Sequence, residues 1–305
     1  LFLKILLGVV LVAAAFAGAI TYAAITYAVR RIPQPIQIDM PGKRRALLYQ
    51  LRDGPRPTLV LLHPYSGDAL STAKYSGFLQ AAILRGFNVA VPDAIAHEWH
   101  DSPDETSQGD DIGFLSALVE KLTAEKIADA KRIFIAGISN GGMMAFAMAC
   151  ARPDLFAGIG TISAGMPKHV FESCRLIEPM PLVMINGDAD DVLPYAGGRV
   201  GDPSGFFRTT AGVEETGALF ATADNESATR EPRRIEIRDG RRVLERIDWS
   251  NGQTTIVTLV RVRGGGHDVI GWRAPWQAFL GLPPRGPATA SSIVDRFADL
   301  NSHLP

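Results

Sequence analysis

The sequence predicts an α/β fold: a mostly parallel sheet with helices on both faces, preceded by an N-terminal hydrophobic helix. Three observations carry that prediction. Short continuous apolar runs such as Thr58-Leu59-Val60-Leu61-Leu62 recur along the 305 residues, as expected of strands buried on both faces. Between them lie stretches with helical spacing, long enough to serve as crossovers between parallel strands. Ahead of them all, residues 5–29 hold no charged side chain.

That charge-free run would extend about 37 Å as a helix, enough for a bilayer core of about 30 Å. It reads either as a membrane anchor or as a signal segment cleaved after the small-x-small triplet Ala15-Phe16-Ala17. Cleavage there would leave an apolar stub, and Tyr22 and Tyr27 near the far end suit a membrane interface, so the anchor is the favoured reading. Residues 1–31 are therefore expected as an anchor or signal segment. Residues 32–44 are expected as a linker, because Pro33 and Pro35 disfavour helix before them, and 45–305 as one domain. Arg30, Arg31, Lys43, Arg44 and Arg45 follow the apolar run and only Lys4 precedes it, a bias that taken alone puts the domain in the cytoplasm.

Within the domain, strands are expected at 45–51, 58–62, 87–91, 132–136 and 182–185. Helices are expected at 73–85, ended by Gly86, at 111–126, where Asp110 and Asp111 favour the N-terminus, and at 143–150. Residues 231–262 differ. Alternating segments separated by Asp239-Gly240 and Asn251-Gly252 read as an antiparallel edge, its arginines and acids forming a solvated outer face.

Composition narrows the function classes. With 47% hydrophobic and 21% charged residues the chain is not disordered. A net charge of −1 leaves no basic excess for a nucleic acid partner. Two cysteines make neither a disulfide-framework miniprotein nor a four-thiolate zinc site.

The chemistry centres on Gly137-Ile138-Ser139-Asn140-Gly141, a GxSxG string between a strand and a helix. Glycines on both sides permit a sharp turn that exposes the Ser139 hydroxyl at the carboxyl edge of the sheet. The string alone is common; its strand-before, helix-after context gives it weight. A serine nucleophile needs a base, and the base an orienting acid, in the chain order Ser, acid, His. Of the histidines after Ser139, His303 stands near the end and His169 precedes any acid beyond the 182–185 strand. His267, behind Gly264-Gly265-Gly266, is the base candidate. For the acid, Asp188, Asp190 and Asp191 all stand just beyond that strand, and their spacing does not choose among them. The same segment read as a calcium loop lacks flanking ligand spacing. His97 and His100 invite a metal reading, but no third ligand stands at a metal spacing, and Trp99 between them is expected in a loop over the site mouth as a substrate contact.

Five stretches together resemble the polyhydroxybutyrate depolymerase and feruloyl-esterase-like family of α/β-hydrolase serine esterases. They are the elbow around Ser139, Asp110-Asp111-Ile112-Gly113-Phe114-Leu115, Asp188-Ala189-Asp190-Asp191-Val192-Leu193-Pro194-Tyr195-Ala196-Gly197-Gly198, Gly264-Gly265-Gly266-His267, and Trp99 in place of a Cys-Trp loop. The resemblance runs over residues 45–300. It implies an α/β-hydrolase fold, a triad of Ser139, Asp190 and His267, and an oxyanion hole from the amides of Tyr65 and Asn140. It implies no metal or organic cofactor.

The sequence departs from the family beside the site. Pro64 follows His63 where the family has glycine, Asn186 stands for a histidine, and Val269-Ile270 for a Trp-Pro. These departures leave the identity of the ester open. The family's habit also points to a disulfide between Cys150 and Cys174, closing a loop of about 24 residues. A disulfide and a secreted family place the domain outside the cytoplasm, against the arginine count. The expected activity is hydrolysis of carboxylic esters by a membrane-associated or released enzyme. A peptidase or thioesterase on the same triad, and a membrane-anchored binding protein without catalysis, are the alternatives.

Overall fold

The computed structural model describes residues 32–51, 54–101, 109–200, 208–222, 232–239, 242–251, 253–267 and 289–303. The expected anchor or signal segment, 1–31, lies outside them. The chain divides into two units, 1–34 and 35–305. Among the described residues no helix is long and apolar enough to cross a membrane.

The second unit is built on a ten-stranded sheet. Its strands in chain order are β1 (Ile36–Met40), β2 (Arg44–Tyr49), β3 (Arg56–Leu62), β4 (Asn88–Pro92), β5 (Ala128–Ile138), β6 (Gly158–Ile162), β7 (Leu182–Gly187), a two-residue pair β8 (Gly198–Arg199) and β9 (Thr209–Thr210) standing apart, then β10 (Arg233–Asp239), β11 (Arg242–Asn251) and β12 (Thr254–Val262). The order across the sheet is β1-β2-β4-β3-β5-β6-β7-β12-β11-β10. The six central strands, β4 to β12 in that order, are parallel. Antiparallel pairs close both edges, β1 and β2 on one side and β11 and β10 on the other. The antiparallel edge expected at 231–262 is thus present, and its last strand, β12, also pairs in parallel with β7.

Alternation along the buried strands sends side chains to two helical layers. From β5, Ile133 and Ile135 join the core beneath α3 (Asp111–Ala124), α4 (Asn140–Ala151) and α6 (Val213–Thr222). Phe134 points the other way and stacks on Phe297 of α7 (Thr289–His303), with ring centroids 4.6 Å apart. Helix α2 (Phe78–Leu84) packs against α7 on this second face, and a short α5 (Lys168–Ser173) packs against α4 on the first. Residues 140–149 of α4 are all buried.

Two local expectations are corrected. The segment 32–44 is not simply a linker: Ile36–Met40 forms edge strand β1, and Arg44 is buried against Asp111 and the Phe114 ring. The domain therefore begins before residue 45. The single helix expected at 73–85 is two, α1 (Ala69–Tyr75) and α2. Gly77, at φ +83°, turns the chain between them in a backbone conformation that glycine adopts without strain. The N-terminus of α1 is fixed by Asp68, whose carboxylate accepts from the Ser71 amide at 2.8 Å in a reciprocal capping box.

Candidate active site

The carboxyl ends of the central strands deliver the candidate residues to one edge of the sheet, where ligands bind in open α/β sheets. Ser139 lies between β5 and α4 at φ +52° and ψ −119°, a strained conformation held by its surroundings. Its amide donates to the Ile162 carbonyl at the end of β6, and its carbonyl accepts from Met143 in α4, each at 3.0 Å. The turn is so tight that a Cβ at Gly137 would lie 2.1 Å from the Gly141 carbonyl oxygen. A Cβ at Gly141 would lie 2.5 Å from the His63 carbonyl oxygen, so the elbow and the loop after β3 touch backbone to backbone.

Ser139, His267 and Asp190 meet in a chain of hydrogen bonds. The Ser139 hydroxyl lies 3.0 Å from His267 Nε2, and His267 Nδ1 lies 2.8 Å from Asp190 Oδ2. The Asp190 side chain is fully buried and the imidazole about three-quarters buried. The second Asp190 oxygen accepts the amides of Val192 and Leu193 at 2.9 and 2.8 Å. This fixes the carboxylate's orientation and leaves Oδ2 for the Nδ1–H of His267, which makes Nε2 the acceptor toward Ser139.

The other two aspartates that the spacing left open are elsewhere. Asp191 is exposed. Asp188 faces the glycine-rich loop: its Oδ1 accepts the Gly264 amide at 2.6 Å and its Oδ2 pairs with Arg261 at 2.9 Å. The Ala189 amide donates to the Gly265 carbonyl at 2.9 Å, so the acid loop and the histidine loop dock directly on each other. Arg261 also reaches Glu245 and stands 5.1 Å from the Tyr195 ring centroid. The phenol of Tyr195 donates to Glu214 at 3.0 Å, and burial beside that carboxylate pushes its pKa far up. Arg261, expected on a solvated face, is thus a clamp between β12 and the acid loop. Its signal in the sequence was a single arginine in the otherwise uncharged strand β12, read together with the charged strands beside it.

Two further amides are expected at the site, those of Tyr65 and Asn140. Asn140 opens α4, so its N–H has no partner within the helix. In the loop after β3, the amides of Ser66 and Gly67 are committed to the carbonyls of His97 and Pro64. Tyr65 directly precedes these two residues, with its side chain about half exposed. His63 is fully buried. Its Nδ1–H donates to the Pro64 carbonyl at 2.8 Å, and its Nε2 accepts the Ala94 amide at 3.0 Å. Burial depresses its pKa, so it sits as one neutral tautomer shaping the turn.

Trp99 is not the substrate contact that its sequence position predicted. It is fully buried and turned inward. Its indole N–H donates to the His63 carbonyl at 3.0 Å; its amide donates to Asn140 Oδ1 at 2.8 Å, and its carbonyl accepts Asn140 Nδ2 at 3.0 Å. Cys150 at the end of α4 is disulfide-bonded to Cys174 after α5.

The model of the prolyl oligopeptidase family matches residues 75–166, a stretch that contains Ser139. The chain is 29% identical over 283 residues to the esterase-named protein NocK of Nocardia uniformis subsp. tsuyamanensis, covering 85% of this chain and 80% of that one. It is also 29% identical over 152 residues to feruloyl esterase B of Piromyces equi, covering 48% of this chain but 28% of the relative's length. The fold matches that of the acetyl xylan esterase from Aspergillus awamori with a TM-score of 0.53 at 16% identity, over 77% of this chain and 94% of that one. These relatives bear out the resemblance read from the motifs and the α/β-hydrolase fold that it implied.

Proposed function

We propose that this relative of the feruloyl esterases is a serine esterase that cleaves carboxylic esters through an acyl-enzyme, with Ser139, His267 and Asp190 as its triad. The observation that carries the reading is the continuous hydrogen-bonded chain from the Ser139 hydroxyl through His267 to Asp190, assembled on the carboxyl ends of β5, β7 and β12. His267 Nε2 takes the Ser139 proton as Oγ attacks the ester carbonyl. Asp190 holds the tautomer and stabilises the imidazolium that forms. The amides of Tyr65 and Asn140 receive the oxyanion, an effect worth about 3 kcal/mol per donor in comparable sites. The imidazolium then protonates the leaving alcohol, and a water activated by His267 releases the acid.

The disulfide between Cys150 and Cys174 supports an extracytoplasmic home, and the charge-free stretch at 5–29 supports attachment to, or export through, a membrane. The match to the prolyl oligopeptidase model favours a second reading, peptide-bond hydrolysis on the same three residues. Paired assays separate the two: the ester reading requires turnover of a short-chain nitrophenyl ester to exceed that of the matching anilide. Ser139→Ala is expected to abolish ester turnover and labelling by a fluorophosphonate. Ester turnover surviving that substitution would overturn the assignment.

A further inference from the structure

The segment 95–101 contains the two histidines that look like metal ligands, yet among the described residues no cluster suited to a metal forms. Its polar groups go to four other parts of the carboxyl edge instead. His97 Nδ1–H donates to the Gly67 carbonyl at 2.7 Å, and the His97 carbonyl accepts the Ser66 amide at 3.0 Å. Glu98 accepts from Arg208 at 3.1 Å ahead of β9. Trp99 holds the His63 carbonyl and both ends of the Asn140 amide group. The His100 amide donates to Asp111 Oδ2 at 2.8 Å at the start of α3.

Backbone strain is concentrated where the two loops meet. Ala96 and His97 stand at φ +51° and +62°, and Ser66 opposite them at φ +59°, none of them glycine. Consecutive left-handed residues of this kind persist only where the surrounding contacts hold them.

We propose that Trp99 and His97 are positioning residues for the oxyanion hole, and that segment 95–101 is a bracket setting the spacing between the amides of Tyr65 and Asn140. This rests on the esterase reading of the site. The two amides belong to different elements, the loop after β3 and the first turn of α4. Trp99 bonds to both: its indole holds the residue two before Tyr65, and its backbone grips the Asn140 side chain. His97 holds the same loop from the other side of Tyr65, at Ser66 and Gly67. Donors stabilise an oxyanion only where they meet the oxygen of the tetrahedral state rather than that of the ground-state carbonyl, so a slack bracket weakens transition-state binding and spares substrate binding.

The test uses the full-length enzyme, a short-chain nitrophenyl ester and a trifluoromethyl ketone that mimics the tetrahedral state. Trp99→Phe keeps an aromatic ring but loses the bond to His63; it is expected to lower kcat about tenfold with KM unchanged, and to weaken the ketone by the same factor. His97→Ala, at an exposed position suited to normal folding, is expected to lower kcat about threefold, with His97→Asn recovering most of it through a retained donor. Wild-type kcat in both variants, or a raised KM with kcat intact, would overturn the bracket. If Trp99→Phe does not fold, the His97 pair decides. Fluorophosphonate labelling of the wild-type enzyme reports separately on the esterase reading, so failure of the bracket and failure of that reading give different results.

Discussion

At the scale of single residues, His63 shows how a group outside the triad ties the site to pH. Burial holds its pKa below the ordinary value of 6.5, partly offset by the Pro64 carbonyl that its Nδ1–H faces. The unfolded chain takes up a proton at this histidine near the ordinary value, whereas the folded chain resists until lower pH. The stability it contributes is therefore full above about pH 6.5 and is lost as the pH falls below that. The melting temperature is expected to fall between about pH 7.5 and 5.5, and to fall less steeply in His63→Asn, whose side chain does not titrate. An equal slope in the variant would show that His63 does not titrate between the two states. The GxSxG string in its strand-to-helix context singled out Ser139, and chain order singled out His267. Asp190 was not legible from the same reasoning, because three aspartates within four residues share one composition and differ only in which backbone amides they meet. The family likeness supplied the choice, and the amides of Val192 and Leu193 give its physical reason.

Among the elements, strands rich in branched apolar residues were legible, and the ones missed have specific causes. Strand β6, Gly158-Ile159-Gly160-Thr161-Ile162, carries two glycines, which depress any strand pattern. Its Gly160 is required by a neighbour far along the chain: a Cβ there would lie 2.3 Å from Ile293 Cγ2 and 3.1 Å from the Phe297 ring of α7. Gly160→Ala is expected to force α7 off the sheet and cost about 1–3 kcal/mol in urea denaturation, with the hydrogen bonds of Ser139 undisturbed. An unchanged midpoint would mean that α7 gives way freely. Strand β1 was hidden by the prolines before it, which read as a linker although Pro35 directly precedes the strand and its missing amide falls outside the ladder. The break at Gly77 was hidden by apolar spacing that runs through both helices, since periodicity does not register a single left-handed residue.

On the scale of the whole molecule, the disulfide joins the far end of α4 to the segment leading toward β7, across a sequence separation of 24. Replacing both Cys150 and Cys174 with alanine is expected to cost about 3 kcal/mol through the freedom returned to the unfolded chain. Chemical denaturation measures the loss, and ester turnover well below the transition should survive, because neither cysteine touches the triad. Undiminished stability would place the bond's value in resistance to proteolysis. The sheet itself has a consequence for the order in which the enzyme becomes an enzyme. His267 lies 128 residues from Ser139 and 77 from Asp190 along the chain. Helices close through neighbours a few residues apart, whereas the hydrogen-bonded chain from Ser139 through His267 to Asp190 forms only once β12 has paired with β7 and β7 with β6. A refolding chain can therefore regain helical content while it is still inert, and hydrolytic competence arrives with the last long-range pairing as a late signature of a completed sheet.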